Sequence, residues 1–190
     1  MRRVVSFCLW GTTAKYTVGA VRNAELCRGV YSGWEVRFYV SDCTPSNIIK
    51  QLLELGCTIV SMGNGDWTAM FWRFAPAFDP EAIMISRDTD SRISSREREA
   101  VEDWLASDKD FHIMRDHKFH GTEILGGMWG CRNNILKHKE KLDSYSKQDS
   151  WGTDQNFLRD CVWPEVRDRS LVHDDWMRYD GGEKRKFPVG

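Results

Sequence analysis

Apolar and polar positions over the first hundred residues alternate between strand-like and helix-like stretches. Val4-Val5-Ser6-Phe7-Cys8-Leu9-Trp10 reads as a strand ending at Gly11-Thr12-Thr13. Residues 16 to about 30 then place Val18, Val21, Ala24 and Cys27 at helical spacing. Glu35-Val36-Arg37-Phe38-Tyr39-Val40 is a second strand. A helix follows, with Thr44 as its N-cap, Pro45 as its first residue, Ile48, Ile49, Leu52 and Leu53 on one face, and Gly56 as its stop. Cys57 to Met62 is a third strand. Asp66 caps a short aromatic helix with Trp67, Met70, Phe71 and Phe74, and Ala82-Ile83-Met84-Ile85 is a fourth, buried strand. Ser94 and Glu97 form a capping box for a helix that packs Val101, Trp104 and Leu105.

This alternation predicts an α/β fold with a mainly parallel sheet, in which the ligand site lies beyond the carboxyl ends of the strands. After residue 110 the rhythm changes. Phe111 to Arg115 reads as a strand, glycines gather at Gly121 and at Gly126-Gly127-Met128-Trp129-Gly130, and a basic helix is expected from Asn134 to about Leu142. A helix through Phe157 and Leu158 and a last strand, Ser170-Leu171-Val172, complete the series. The segment from Gly181 to Gly190 is expected to be a mobile basic tail.

The chain has 190 residues, enough for one domain with a real core, and its net charge of −1 argues against a general nucleic-acid binder. No apolar run approaches membrane-spanning length, and Met1-Arg2-Arg3 is a poor start for a secretory signal, so a cytoplasmic location is expected. Its six cysteines lie far apart without a C-x-x-C pair and are read as reduced thiols. Nine tryptophans are an unusual number; aromatic surfaces stack on sugars and bases as well as filling cores, so some are expected to line a cleft, and Trp10 and Trp129 have the best claim.

The most informative stretch is Ser86-Arg87-Asp88-Thr89-Asp90-Ser91-Arg92, directly after the fourth strand. Two carboxylates one residue apart at the end of a buried strand need a positive partner. Mg²⁺ or Mn²⁺, held together with a substrate's phosphates, is the natural one, while Arg87 and Arg92 are the alternative. A solvated turn uses the same letters, so D-x-D alone decides little.

In order and spacing these segments resemble the GT-A family of nucleotide-sugar glycosyltransferases, and in particular the small GT-A domains encoded by large DNA viruses of algae. The resemblance covers nearly the whole chain. It rests on Val4-Trp10 with Gly11-Thr13, Phe71-Trp72-Arg73-Phe74, Arg87 to Arg92, Gly126-Gly130, Gly152-Thr153-Asp154-Gln155 and His173-Asp174-Asp175-Trp176. It implies a single GT-A-type, Rossmann-like domain, with residues 1–110 binding the nucleotide and 111–190 supplying the acceptor half and tail. Leu9, Trp10, Gly11 and Thr12 would then hold the base and ribose, with Thr89 beside them. Arg73 would meet the diphosphate or donor sugar, Asp88 and Asp90 the nucleotide and its Mn²⁺ or Mg²⁺, and His173 would be a third metal ligand. Gly127-Met128-Trp129 would separate donor sugar from acceptor, Asp154 would act on acceptor or sugar, and Lys184, with Arg178, Arg185 and Lys186, would close over the diphosphate.

The implied activity is metal-dependent transfer of a hexosyl or deoxyhexosyl group from a nucleoside diphosphate sugar, UDP foremost, to a glycan hydroxyl in a host-cell cytoplasm. A departing phosphate gathers negative charge that a metal and Arg or Lys stabilise, and a carboxylate serves as base or stabilises the sugar cation. Alternative readings stand beside these: His173 as a buried histidine bonded to backbone, Asp154 as a helix cap, Arg73 as a snorkelling surface residue, and the whole domain as a non-catalytic module that binds nucleotide sugar or glycan. A haloacid-dehalogenase-type phosphatase is excluded, because its Asp-x-Asp belongs to the first strand and is followed by Thr or Val where Arg92 stands. The compact length and the ending Pro188-Val189-Gly190 fit a domain of a longer polypeptide.

Overall fold

The computed structural model describes residues 1–132, 139–148, 152–176 and 181–189. Among these described residues eight strands form one sheet: β1 (Arg2–Leu9), β2 (Glu35–Val40), β3 (Thr58–Ser61), β4 (Ala82–Arg87), β5 (Phe111–Arg115), β6 (Met128–Cys131), β7 (Ser170–Asp174) and β8 (Glu183–Arg185). Their order is β3-β2-β1-β4-β6-β5-β7-β8. Every pairing is parallel except those of β6, which runs antiparallel to both β4 and β5. The expected α/β class with a mainly parallel sheet is therefore the observed one.

Both faces of the central strands are buried, which is why β1 and β4 read as near-continuous apolar runs, whereas β3 and β8 at the sheet edges stay partly exposed. Helices α1 (Ala14–Val30), α2 (Ser46–Glu54) and α3 (Ser95–Ala106) cover one face, over a core that includes Phe7, Phe38, Leu52, Ile85 and Trp104. A 3-10 segment, Trp67–Phe78, and the run from α5 (Thr153–Phe157) through a π turn, Leu158–Val162, into α6 (Trp163–Val166) line the second core. That core contains Phe71, Phe74, Trp129, Phe157 and Val162.

Local signals explain most element ends, and several expectations need correction. Asp66 accepts from the Thr68 N–H at 2.8 Å, and Ser94 accepts from the Glu97 N–H at 3.2 Å. A cap of this kind contributes about 1 kcal/mol. The reciprocal half of the box is missing, because the Glu97 carboxylate turns inward to Arg87 and to the Tyr31 hydroxyl at 3.0 Å. Thr44 does not cap α2: its hydroxyl donates to the Leu9 carbonyl at 3.2 Å, and Pro45 stands at the N-cap. Gly56 ends the turn after α2 with φ +82. Val18 is 60% exposed, since the buried side of α1 is formed by small and polar residues, Gly19, Ala20, Asn23, Ala24 and Cys27.

Trp129 is not a cleft residue. It is fully buried in β6, stacked on Phe111 and edge-on to Phe74. The expected mobile tail is instead the edge strand β8, followed by Phe187 tucked under Arg96 at 4.1 Å. Of the expected basic helix, Lys139–Tyr145 (α4) is helical; residues 133–138 lie outside the described residues, as do Trp151, Arg178 and Gly190. All six cysteines are free thiols.

Candidate active site

Strands β1 and β4 are parallel neighbours, so the turn after Leu9 and the aspartates after Arg87 emerge at the same edge of the sheet. A cleft of about 200 Å³ opens there, lined by Trp10, Tyr16, Met70, Arg73, Asp88, Asp90, Asp154 and Gln155 among others. Its inner end continues to Cys8, Leu9 and Thr89. Trp10 stacks on Tyr16, with ring centroids 6.3 Å apart, giving the cleft an aromatic wall. Leu9 sends its side chain into the core and takes part here through its backbone, whose carbonyl accepts from Ser41 N–H at 3.0 Å. Gly11 holds the turn with φ +72 and donates its N–H to the Cys43 thiol at 3.1 Å; Thr12 is exposed beside it.

The aspartate loop is held from behind. The buried Asn23 amide donates to the carbonyls of Asp88, Thr89 and Ser91 at 3.3, 3.2 and 3.0 Å. Its own carbonyl accepts from Ile93 N–H at 3.3 Å. Gly19 lies so close that a Cβ there would overlap the Thr89 carbonyl. Arg87 does not neutralise the aspartates: the strand's alternation sends it to the opposite face, to Glu97. Arg92 holds the loop backbone, at 3.2 Å from Thr89 O and 2.7 Å from Ser91 O.

At the centre stands Arg73, 6% exposed, on the 3-10 segment. Nη1 pairs with Asp88, and Nη2 lies 2.8 Å from Asp154 Oδ2. Burial works against the charge of Arg73, but the carboxylates of Asp88 and Asp154 outweigh it and hold its pKa above the ordinary arginine value. The Cys8 thiol beneath it is pushed up to about 12 by burial and is a neutral neighbour. Asp154 is 3% exposed. Burial raises its pKa above the usual carboxylate value, against the pull of Arg73. Gly152, with φ +80, is the N-cap of α5, and Asp154 in the first turn of that helix pairs with Arg73. Lys15 pairs with Asp90 at 2.7 Å.

Gly126 and Gly127 fit against this cluster. A Cβ on Gly126 would overlap Asp154 and Arg73, and one on Gly127 would overlap the Asp88 carboxylate. The Gly126 carbonyl accepts from Ser86 Oγ at 2.7 Å and from Trp129 Nε1 at 3.1 Å, which fixes both glycines to the sheet. Gly127 faces a second hollow of about 320 Å³ on the other side of Asp88.

Two expected participants lie elsewhere. His173 is buried on β7, its Nε2 3.1 Å from Asp103 and its Nδ1 2.9 Å from His112. Both ring nitrogens are engaged by side chains on the α3 face, so it is not brought to the aspartates. Lys184 pairs in β8 at the sheet edge, opposite Val172. Among the described residues no three His, Cys, Asp or Glu side chains gather as a metal cluster. Asp88 and Asp90 still fit a hard divalent cation of the kind that takes its other ligands from phosphates and water. Lys15, Tyr16 and Asn23 are residues the sequence reading passed over. Asn23 carried a signal, a polar residue on the buried face of α1.

No protein-family model and no curated protein matches the chain. Solved structures do. A glycosyltransferase involved in glycosylation of the major capsid of PBCV-1 superposes with TM-score 0.55 at 12% identity, covering 92% of this chain and 82% of the other. The mannosyltransferase PcManGT from Pyrobaculum calidifontis, in complex with GDP-Man and Mn²⁺, gives 0.60 at 14%, over 92% and 55%. S. aureus TarS gives 0.59 at 14%, over 92% and 58%. The fold is of the GT-A type. The chain spans a little over half of the latter two GT-A proteins. Among the described residues no helix is long and apolar enough to cross a membrane.

Proposed function

We propose that this chain is a metal-dependent glycosyltransferase that moves a sugar from a nucleoside diphosphate sugar, UDP in the first instance, to a glycan hydroxyl. The observation that carries the reading is Arg73, which joins Asp88 and Asp154 in one cleft at the β1/β4 edge of a GT-A sheet. The GDP-Man and Mn²⁺ bound by PcManGT support the ligand class. Mn²⁺ or Mg²⁺ held by Asp88 and Asp90 would supply positive charge for the departing diphosphate.

The chain's own residues do the rest. Trp10 and Tyr16 offer an aromatic face to the base, and Arg73 stabilises negative charge from a fixed position at no reorganisation cost. Asp154, half a fork away on the same guanidinium, takes the acceptor proton or stabilises the sugar cation. Burial makes it a stronger base than an ordinary aspartate.

Calorimetric titration of UDP and of GDP, with Mn²⁺ and with chelator, on wild type and Asp90→Ala tests the proposal. Binding that needs both metal and Asp90 supports it, and the preferred nucleotide names the donor class. Absence of binding by both nucleotides overturns it.

A further inference from the structure

We infer that Lys15 is the diphosphate-binding cation of this cleft and that it reaches the donor by exchanging Asp90 for phosphate. The inference deepens the glycosyltransferase reading and rests on it. Three carboxylates, Asp88, Asp90 and Asp154, face two cations, Lys15 and Arg73, so the cleft is one charge short of neutral. The two cations are held very differently. The Arg73 side chain is 7% exposed and fixed by a carboxylate on each Nη, whereas that of Lys15 is 62% exposed and pairs with Asp90 from the first turn of α1.

Exposed pairs of this kind contribute little and rearrange readily. A divalent cation held by Asp88 and Asp90 would satisfy both carboxylates and remove the reason for Lys15 to stay on Asp90. Arg73 would keep Asp154 and stay in place. The donor diphosphate would then be the anion open to the released ammonium. A compact ammonium on a flexible four-carbon stem suits that short move, where a buried guanidinium does not. The lining residue next to it, Tyr16, has its ring 5.2 Å from Nζ, which keeps the stem against the cleft wall. The role that sequence resemblance gave to Lys184 thus passes to a residue already at the site.

The test is titration of Mn²⁺ alone, and of UDP and UMP in Mn²⁺, into wild type, Lys15→Ala and Lys15→Arg, with melting curves alongside. Lys15 is exposed, so Lys15→Ala is expected to melt with the wild type. Its affinity for UDP should fall about tenfold, as for loss of a hydrogen bond to a charged group, while UMP changes less than about twofold. Mn²⁺ alone should bind more tightly once its competitor is gone, and Lys15→Arg should recover most UDP affinity. An unchanged UDP affinity, or equal loss for UDP and UMP, overturns the diphosphate role. If wild type binds neither UDP nor GDP, the glycosyltransferase reading fails first. Mn²⁺ alone then decides the exchange, which is overturned if Lys15→Ala binds it no more tightly.

Discussion

Nη2 of Arg73 lies 2.8 Å from Oδ2 of Asp154, and both side chains are almost fully enclosed. The two residues stand 81 positions apart in the chain, one on a 3-10 segment and the other at the start of α5, elements that meet through the rings of Phe71 and Phe157. Their pairing therefore sets the width of the site as well as its charge. A lysine at position 73 presents one ammonium and cannot fork to Asp88 and Asp154 together. Arg73→Lys should lower turnover of the donor about 100-fold, the scale for losing one fixed transition-state donor. Arg73→Met leaves a buried carboxylate uncompensated and should cost about 3 kcal/mol, read by denaturant melts.

The raised pKa of Asp154 links activity to stability with opposite signs. Because burial lifts the folded-state pKa above the usual aspartate value, the protonated form is the one that folding favours. Its stabilising share is complete below the unfolded value and is lost as pH rises through the folded one. The role proposed for Asp154 needs the carboxylate, so kcat/KM should rise over that same window as stability falls. Asp154→Asn should remove that slope from the melting profile and lower the rate about 100-fold or more. An unaltered pH–rate profile in this variant would sink the assignment.

Glycines 126 and 127 give a steric prediction with an internal control. At Gly127 the added Cβ meets not only the Asp88 carboxylate but also the Asp88 backbone nitrogen at 2.9 Å, which no rotamer change relieves. Gly127→Ala should cost about 1–3 kcal/mol and abolish metal-dependent UDP binding. Gly29, near the end of α1, has nothing within 4 Å of its Cβ position. Gly29→Ala should leave binding intact and add about 0.5 kcal/mol. Equal losses of UDP binding in both variants would remove the steric argument.

What could be read from the chain alone followed the length of each signal. β1 and β4 were legible because a sheet buried on both faces writes near-continuous apolar runs, and β2 because Val36, Phe38 and Val40 alternate with polar or amphipathic neighbours. β6 was not, because Met128-Trp129-Gly130-Cys131 is too short for a pattern and contains a glycine. That glycine is needed where a Cβ would lie 2.8 Å from the Met84 carbonyl. His173 did carry a clue: strand parity puts it on the face of Leu171, toward α3, and away from Val172 in the other core. Arg87 with Glu97, and Lys15 with Asp90, are tertiary choices among several nearby opposite charges, and no spacing in the sequence selects them.

The antiparallel strand between β4 and β5 also governs when the cleft comes into being. Gly126 reaches Ser86 across 40 residues, and Asp154 reaches Arg73 across 81. Contacts this distant close slowly, after the local βα units have collapsed. A growing chain therefore displays its aspartate pair well before it owns Asp154. Docking of Asp154 on Arg73 is thereby deferred until synthesis has passed α5, so the two sides of the cleft are joined last.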